Sequence, residues 1–265
     1  MHLSHMFVHP MKSARGIAYD RAYASLQGLL HDREWLLVTP QGQFLTARDY
    51  PRMLLIEMDL IPGGMLIKAP GQNPIMAMTQ VYQQSVATAV WKDAFTALHG
   101  DPHVDAWFSN YMGIACQLLW LGMKSTRTLV HSDIPLSFAD GYPYLLINQA
   151  SLEALNQDLA TPVGLRHFRP NLVVTDALPY EEDDWSVIRI GEIEFEVAKP
   201  CTRCQMTTVN PDTGEFSEDN EPMRTLIRTR QLPEGICFGV NLVARSEGVL
   251  ETGAKIEIIA SRYSF

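Results

Sequence analysis

Glu192-Ile193-Glu194-Phe195-Glu196-Val197 runs directly into Ala198-Lys199-Pro200-Cys201-Thr202-Arg203-Cys204. Three apolar side chains alternate with three glutamates, the period of a half-buried strand with one wet face. Working outward, Asn210-Pro211-Asp212-Thr213-Gly214 has the residues of a turn, and Ile256 and Ile258 alternate with Lys255 and Glu257 in a closing strand. The beginning of the chain reads the same way. Arg33–Val38 and Phe44–Arg48 flank Pro40-Gln41-Gly42, and Met53–Leu60 and Met65–Lys68 flank Pro62-Gly63-Gly64, two hairpin signals. They predict a small antiparallel barrel or sandwich.

Between Val86 and Met112 the period changes. Val86, Val90, Phe95 and Leu98, then Trp107, Phe108 and Tyr111, predict one or two short helices broken near Gly100-Asp101-Pro102. This change marks the expected connection between two units. Beyond it, Gln117–Leu121 and Tyr144–Ile147 read as strands, and Leu152, Leu155 and Leu159 lie on one face of a helix. The fold class is mostly β with some α. Glu181-Glu182-Asp183-Asp184 reads as a solvated loop face.

With 265 residues, 46% of them hydrophobic and 19% charged, the chain has the composition of an ordinary globular protein. A net charge of −9 argues against holding nucleic acid by phosphate neutralisation, though it leaves room for a local basic pocket. Four cysteines make no disulfide framework, and Cys116 and Cys237, in apolar surroundings, are expected to be buried, inert thiols. The first residues show neither a secretory nor a transit pattern, and no apolar stretch approaches the ~20 residues of a membrane span. A reducing cytoplasm is the expected location, with Cys201 and Cys204 as thiols.

Four constellations carry chemistry-bearing residues. Cys201 and Cys204 sit among cations, and a thiolate is the ligand that soft metals choose. No second Cys-x₂-Cys pair exists to complete a closed four-cysteine zinc site. A redox dithiol normally opens a helix, whereas Thr207-Thr208-Val209 favours a strand. Two structural thiols remain an open alternative. Lys12, Ser13 and Arg33 can grip a phosphate, or else form a turn and a surface ion pair. Phe168-Arg169-Pro170-Asn171 can project a guanidinium and an amide at a ligand, or simply begin a strand. In Phe138-Ala139-Asp140-Gly141-Tyr142-Pro143, Asp140 is either a buried acid or a turn-former.

Taken together and in this order, these residues resemble the MOSC proteins, named for the C-terminal domain of molybdenum cofactor sulfurase. The similarity is to the branch of the mitochondrial amidoxime-reducing component and the YcbX-like reductases. It rests on Val8-His9-Pro10-Met11-Lys12-Ser13, Asp32-Arg33-Glu34-Trp35, Thr46-Ala47-Arg48, Phe138-Ala139-Asp140, Phe168-Arg169-Pro170-Asn171 and the run from Cys201 to Gly214. The resemblance implies a β-barrel-like N-terminal domain with a helical tail over residues 1–118 and a MOSC β-barrel domain over 119–265. It further implies a molybdenum cofactor between them. Cys204 would ligate the molybdenum, with Cys201 structural or supporting. Lys12, Ser13 and Arg33 would hold the pterin and its phosphate. Thr202, Arg203, Arg169 and Asn171 would complete the pocket, and the Asp140-Gly141-Tyr142 loop would approach the metal.

The implied activity is reduction of N-hydroxylated compounds such as hydroxylamines, amidoximes and N-hydroxylated bases. Asp140 is the candidate acid, its pKa raised by burial and opposed by nearby cations. Longer relatives continue into a ferredoxin-type domain, and four cysteines with two committed cannot also bind such a cluster. Electrons are therefore expected from a separate flavoprotein or iron–sulfur protein, and the chain reads as a soluble bacterial version. The competing readings are a sulfur-transfer or cofactor-carrier protein, and a binding protein without turnover.

Overall fold

The structure, a computed structural model, describes residues 1–130 and 132–262. Its largest sheet has nine strands. Along the main path they run Ile256–Ser261, Trp185–Ile190, Ile193–Thr202, Gly235–Ala244, Tyr144–Asn148, Leu172–Thr175, His2–Val8 and Ile17–Tyr19, with Gln231–Leu232 beside Gly235–Ala244. All pairings are antiparallel except that of Tyr144–Asn148 with Leu172–Thr175. A parallel pair needs a crossover, and the helix Gln149–Gln157 lies in it. The inward faces supply one core, built on Leu3, Met6, Tyr144, Trp185, Phe195 and Leu242.

A second core, around Trp35, Met53, Met65, Tyr82, Phe108 and Leu118, belongs to the intervening chain. A four-stranded sheet (Trp35–Val38, Gln117–Trp120, Asp93–His99, Gln84–Val90) and a three-stranded one (Glu57–Ile61, Gly64–Lys68, Ile75–Met78) contribute to this unit. The class is mostly β, as expected. A division between residues 118 and 119 falls inside the strand Gln117–Trp120, and the first strands, His2–Val8 and Ile17–Tyr19, lie in the sheet of the second unit. Among the described residues, no helix is long and apolar enough to cross a membrane.

The helical reading of Val86–Leu98 is overturned: Gln84–Val90 and Asp93–His99 form a β-hairpin. Thr88, Val90, Phe95 and Ala97 are buried while Ala87, Ala94 and Thr96 are exposed, a period of two that β-branched Val86, Thr88 and Val90 support. The second half of that prediction holds. Helix Pro102–Met112 starts with Asp101 accepting from the His103 N–H and ends at left-handed Gly113. Of the Met53–Leu60 run, Pro51–Leu55 is a 3₁₀ turn opened by its proline, and the strand begins only at Glu57. Cys116 and Cys237 are buried, and burial pushes both thiols up to about 11.

Glu181–Asp184 is also corrected. It is a 3₁₀ turn in which Glu182 is fully buried, because its Oε2 accepts from Asn148 Nδ2 (3.0 Å) and Ser151 Oγ (2.8 Å) at the start of helix Gln149–Gln157. Burial pushes the Glu182 carboxyl up to about 7, against those hydrogen bonds. A folded-state pKa above the unfolded value of 4.5 means that folding takes up a proton between those limits. Stability from this group is complete below about pH 4.5 and lost as pH rises through 7, by about 3 kcal/mol. Glu182→Gln keeps a carbonyl acceptor and is expected to be the more stable form at pH 8 by about 2 kcal/mol. Urea denaturation at pH 5 and pH 8 measures this, and a variant with the wild-type pH slope would refute the assignment.

Candidate functional site

A cavity of about 390 Å³ is lined by residues of both units. Lys12, Ser13, Arg33, Asp140, Gly141, Tyr142, Arg169, Asn171, Thr202, Arg203 and Cys204 all line it, although they span nearly two hundred positions of sequence. Among the described residues, six Lys or Arg line it (Lys12, Arg33, Arg48, Arg169, Lys199 and Arg203) against a single carboxylate, Asp140. On a chain of net charge −9, that local excess marks an anion site.

Unusual backbone holds several of these side chains. Ser13, Arg33 and Arg169 have φ of 69°, 53° and 56°, in the left-handed region that non-glycine residues seldom occupy. The surroundings impose it. Arg33 N donates to His9 O at 2.7 Å and its carbonyl accepts from Phe138 N at 2.9 Å, tying the loop to both units. Asp32, buried beneath, accepts from His9 N at 2.8 Å and pairs with Arg33. Burial raises the Asp32 carboxyl, and Arg33 opposes the shift.

The cations are costly to bury. Burial lowers the Lys12 ammonium, while Asp140 beside it (2.5 Å) pulls it back part of the way. Arg169 Nη1 donates to Ala14 O at 2.5 Å, but its Nη2 is buried without a partner. Burial and then the nearby Arg33 charge push the Arg169 guanidinium down to about 9. A buried guanidinium with an unused donor lacks its counter-ion, and an anion in the cavity would supply one.

Asp140 does not behave as the raised acid expected. Burial pushes its carboxyl up, but Lys12, Arg48 and the Trp91 N–H together hold it well below the usual carboxylate range. It is a carboxylate at neutral pH. Two other residues face the cavity less directly than expected. Arg203 Nε and Nη2 both donate to Phe238 O (2.8 and 2.6 Å) and Nη1 to Phe168 O (3.1 Å), so its donors brace the strand. Asn171 Oδ1 accepts from Arg33 Nη1 (3.0 Å) and Leu145 N (3.2 Å), and its Nδ2 donates to Phe7 O (3.2 Å). Its amide is wired to protein on both ends because it sits where the first strand meets the sheet. Thr202 is exposed at the end of Ile193–Thr202, and a Cβ on Gly141 would meet open space. Tyr142 lies under Lys199, whose Nζ is 5.4 Å from the ring centroid.

Cys204 follows the strand Ile193–Thr202 and precedes the short turn Gln205–Thr208. Arg48 Nε donates to its sulfur at 3.2 Å, a cationic donor that complements negative charge on that atom. Cys201 has only the carbonyl of its neighbour Thr202, at 3.8 Å. Arg48, Trp91 and Lys199 also line the cavity, and none was assigned a role from sequence. Thr46-Ala47-Arg48 contributed to the resemblance. Trp91 has no signal of its own, since the hairpin that places it reads as helix in the sequence.

The comparisons agree with this architecture. Residues 1–115 match the MOSC N-terminal beta barrel domain and residues 133–257 the MOSC domain. Mitochondrial amidoxime reducing component 2 of Rattus norvegicus is 32% identical over 241 residues, covering 84% of this chain and 71% of that protein. Mitochondrial amidoxime-reducing component 1 of Homo sapiens is 28% identical, covering 97% and 82%. Molybdenum cofactor sulfurase of Oryza sativa subsp. japonica is 29% identical over 99% of this chain but only 34% of its own length. The chain thus spans about a third of the curated sulfurases it matches. Two matching domains in order, around one cation-lined cavity that holds an accessible cysteine, identify this chain as a member of the MOSC family.

Proposed function

We propose that this chain binds a molybdenum cofactor and reduces N-hydroxylated compounds (hydroxylamines, amidoximes, N-hydroxylated bases) in the cytoplasm. Electrons would come from a separate flavoprotein or iron–sulfur protein. The observation that supports this best is the pairing of an accessible Cys204 sulfur with a six-cation cavity containing the unpartnered Arg169 Nη2. That donor set fits an anionic, phosphate-bearing group with a soft metal. When bound, the cofactor supplies the two-electron chemistry that cleaves an N–O bond.

Lys12, Ser13, Arg33 and Arg169 would hold the phosphate and pterin, and Cys204 would be the protein ligand to molybdenum. Gly141, Tyr142 and Thr202 would line the approach to the metal. Arg203 and Asn171 would act from behind, through the backbone they brace. Lys12 Nζ, which donates to Phe138 O (2.9 Å) and Asp140 Oδ1, would present its ammonium to the bound anion. Asp140, as carboxylate, would orient that ammonium through their hydrogen bond.

The test is reduction of benzamidoxime with a reduced dye, on protein from a host that makes the cofactor. Many equivalents consumed per chain, with near-stoichiometric molybdenum and pterin, are expected. Wild type without metal and pterin sinks this reading, and consumption that stops at one equivalent favours the carrier.

A further inference from the structure

Trp91 stands at the turn of the hairpin Gln84–Val90/Asp93–His99, with φ of 56°. It is 46% exposed, whereas Trp35, Trp120 and Trp185 are buried, so core packing does not account for it. Yet it is firmly held. Its Nε1 donates to Asp140 Oδ1 at 3.0 Å, the Arg48 guanidinium lies 4.3 Å from its ring centre, and Phe44 packs at 5.0 Å and 79°. Two of these supports belong to the cavity. Arg48 also reaches the Cys204 sulfur, and Asp140 also takes the Lys12 hydrogen bond. An oriented, half-open indole thus stands one side chain away from the proposed metal ligand. The other aromatic side chains that line the cavity, Tyr142 and Phe168, also lie under cations, Lys199 and Arg203, and both are less exposed than Trp91.

Resting on the reductase reading above, we infer that Trp91 is a stacking platform for substrate. It selects N-hydroxylated compounds whose reacting group is attached to a planar ring over those with the same group on a saturated ring. Indole binds flat π-systems by stacking without reading their edges, so the selection is for planarity. A purely positional role, propping Arg48 and Asp140, would affect both kinds of substrate equally.

The decisive experiment is calorimetric titration of the cofactor-loaded protein with benzamidoxime and with cyclohexanecarboxamidoxime, without any reductant. Wild type is expected to bind the planar compound about ten-fold more tightly. Trp91→Leu is expected to bring the ratio within about two-fold, and Trp91→Phe, which keeps a ring but no N–H, to retain most of it. Equal wild-type affinities overturn the inference, as does a ratio that survives in Trp91→Leu. The wild-type measurement stands even if a variant fails to fold. Planar preference without reduction under a reduced dye would remove the reductase reading and leave the platform as a binding subsite.

Discussion

Cys204→Ala is expected to leave the chain without molybdenum and to lower turnover by at least about 100-fold, whereas Cys201→Ala stays within about 3-fold of wild type. The two sulfurs are three residues apart, both half-buried and both on the cavity, so exposure does not distinguish them. Their surroundings do. Cys201 is inside the strand Ile193–Thr202, and its sulfur meets only a neighbouring carbonyl. Cys204 lies beyond the strand end, and its sulfur meets the Arg48 guanidinium. Loss of a metal's only protein ligand exceeds the 10–100-fold cost of losing a residue that merely orients one. Metal per chain by mass spectrometry, with melting curves to confirm folding, checks both variants. Molybdenum retained in Cys204→Ala would refute the ligand assignment, and its loss in Cys201→Ala as well would require both sulfurs.

A large loss of stability is expected from a side chain at Gly239. It lies in the strand Gly235–Ala244 with φ of +70°, and a Cβ there would meet the Leu146 carbonyl oxygen at 2.5 Å. Left-handed backbone costs alanine about 1–2 kcal/mol, and overpacking against a paired strand adds about 1–3 kcal/mol. Gly239→Ala should therefore lose about 2–5 kcal/mol in urea unfolding. Gly253, with φ of +86° and nothing within 4 Å of a built Cβ, isolates the first contribution. Gly253→Ala should lose only about 1–2 kcal/mol. Equal losses would mean that the Leu146 strand yields and the clash carries no cost. Because Phe238 O accepts two bonds from Arg203, Gly239→Ala should also weaken cofactor retention.

Strands whose inner face is uniformly apolar were legible in the sequence, as at Ile193, Phe195 and Val197. The hairpin ending in Trp91 was not. Val86 and Val90 are four apart, a helical spacing, and the residue that restores the period of two is the buried polar Thr88. Glu182 was misread for a related reason: its partners, Asn148 and Ser151, lie more than thirty positions away in a helix start. In the site, residue identities were readable and orientations were not. Arg203 and Asn171 have the donors a ligand wants, but the fold turns them onto backbone. Asp140 is held below the usual carboxylate range chiefly by Lys12, 128 residues distant, a pairing that only tertiary structure creates.

A ribosome releases the strand His2–Val8 long before its neighbour Leu172–Thr175, the bonded Ser4 and Val173 being separated by 169 residues. At about 5–20 residues per second, the strand, already able to pair with Ile17–Tyr19, waits roughly 10–30 s for this second neighbour. Meanwhile the four-stranded sheet from Trp35 to Trp120 has every strand it needs. An early-made strand is thus among the last to complete its pairing, and its open edge is where a chaperone would hold it.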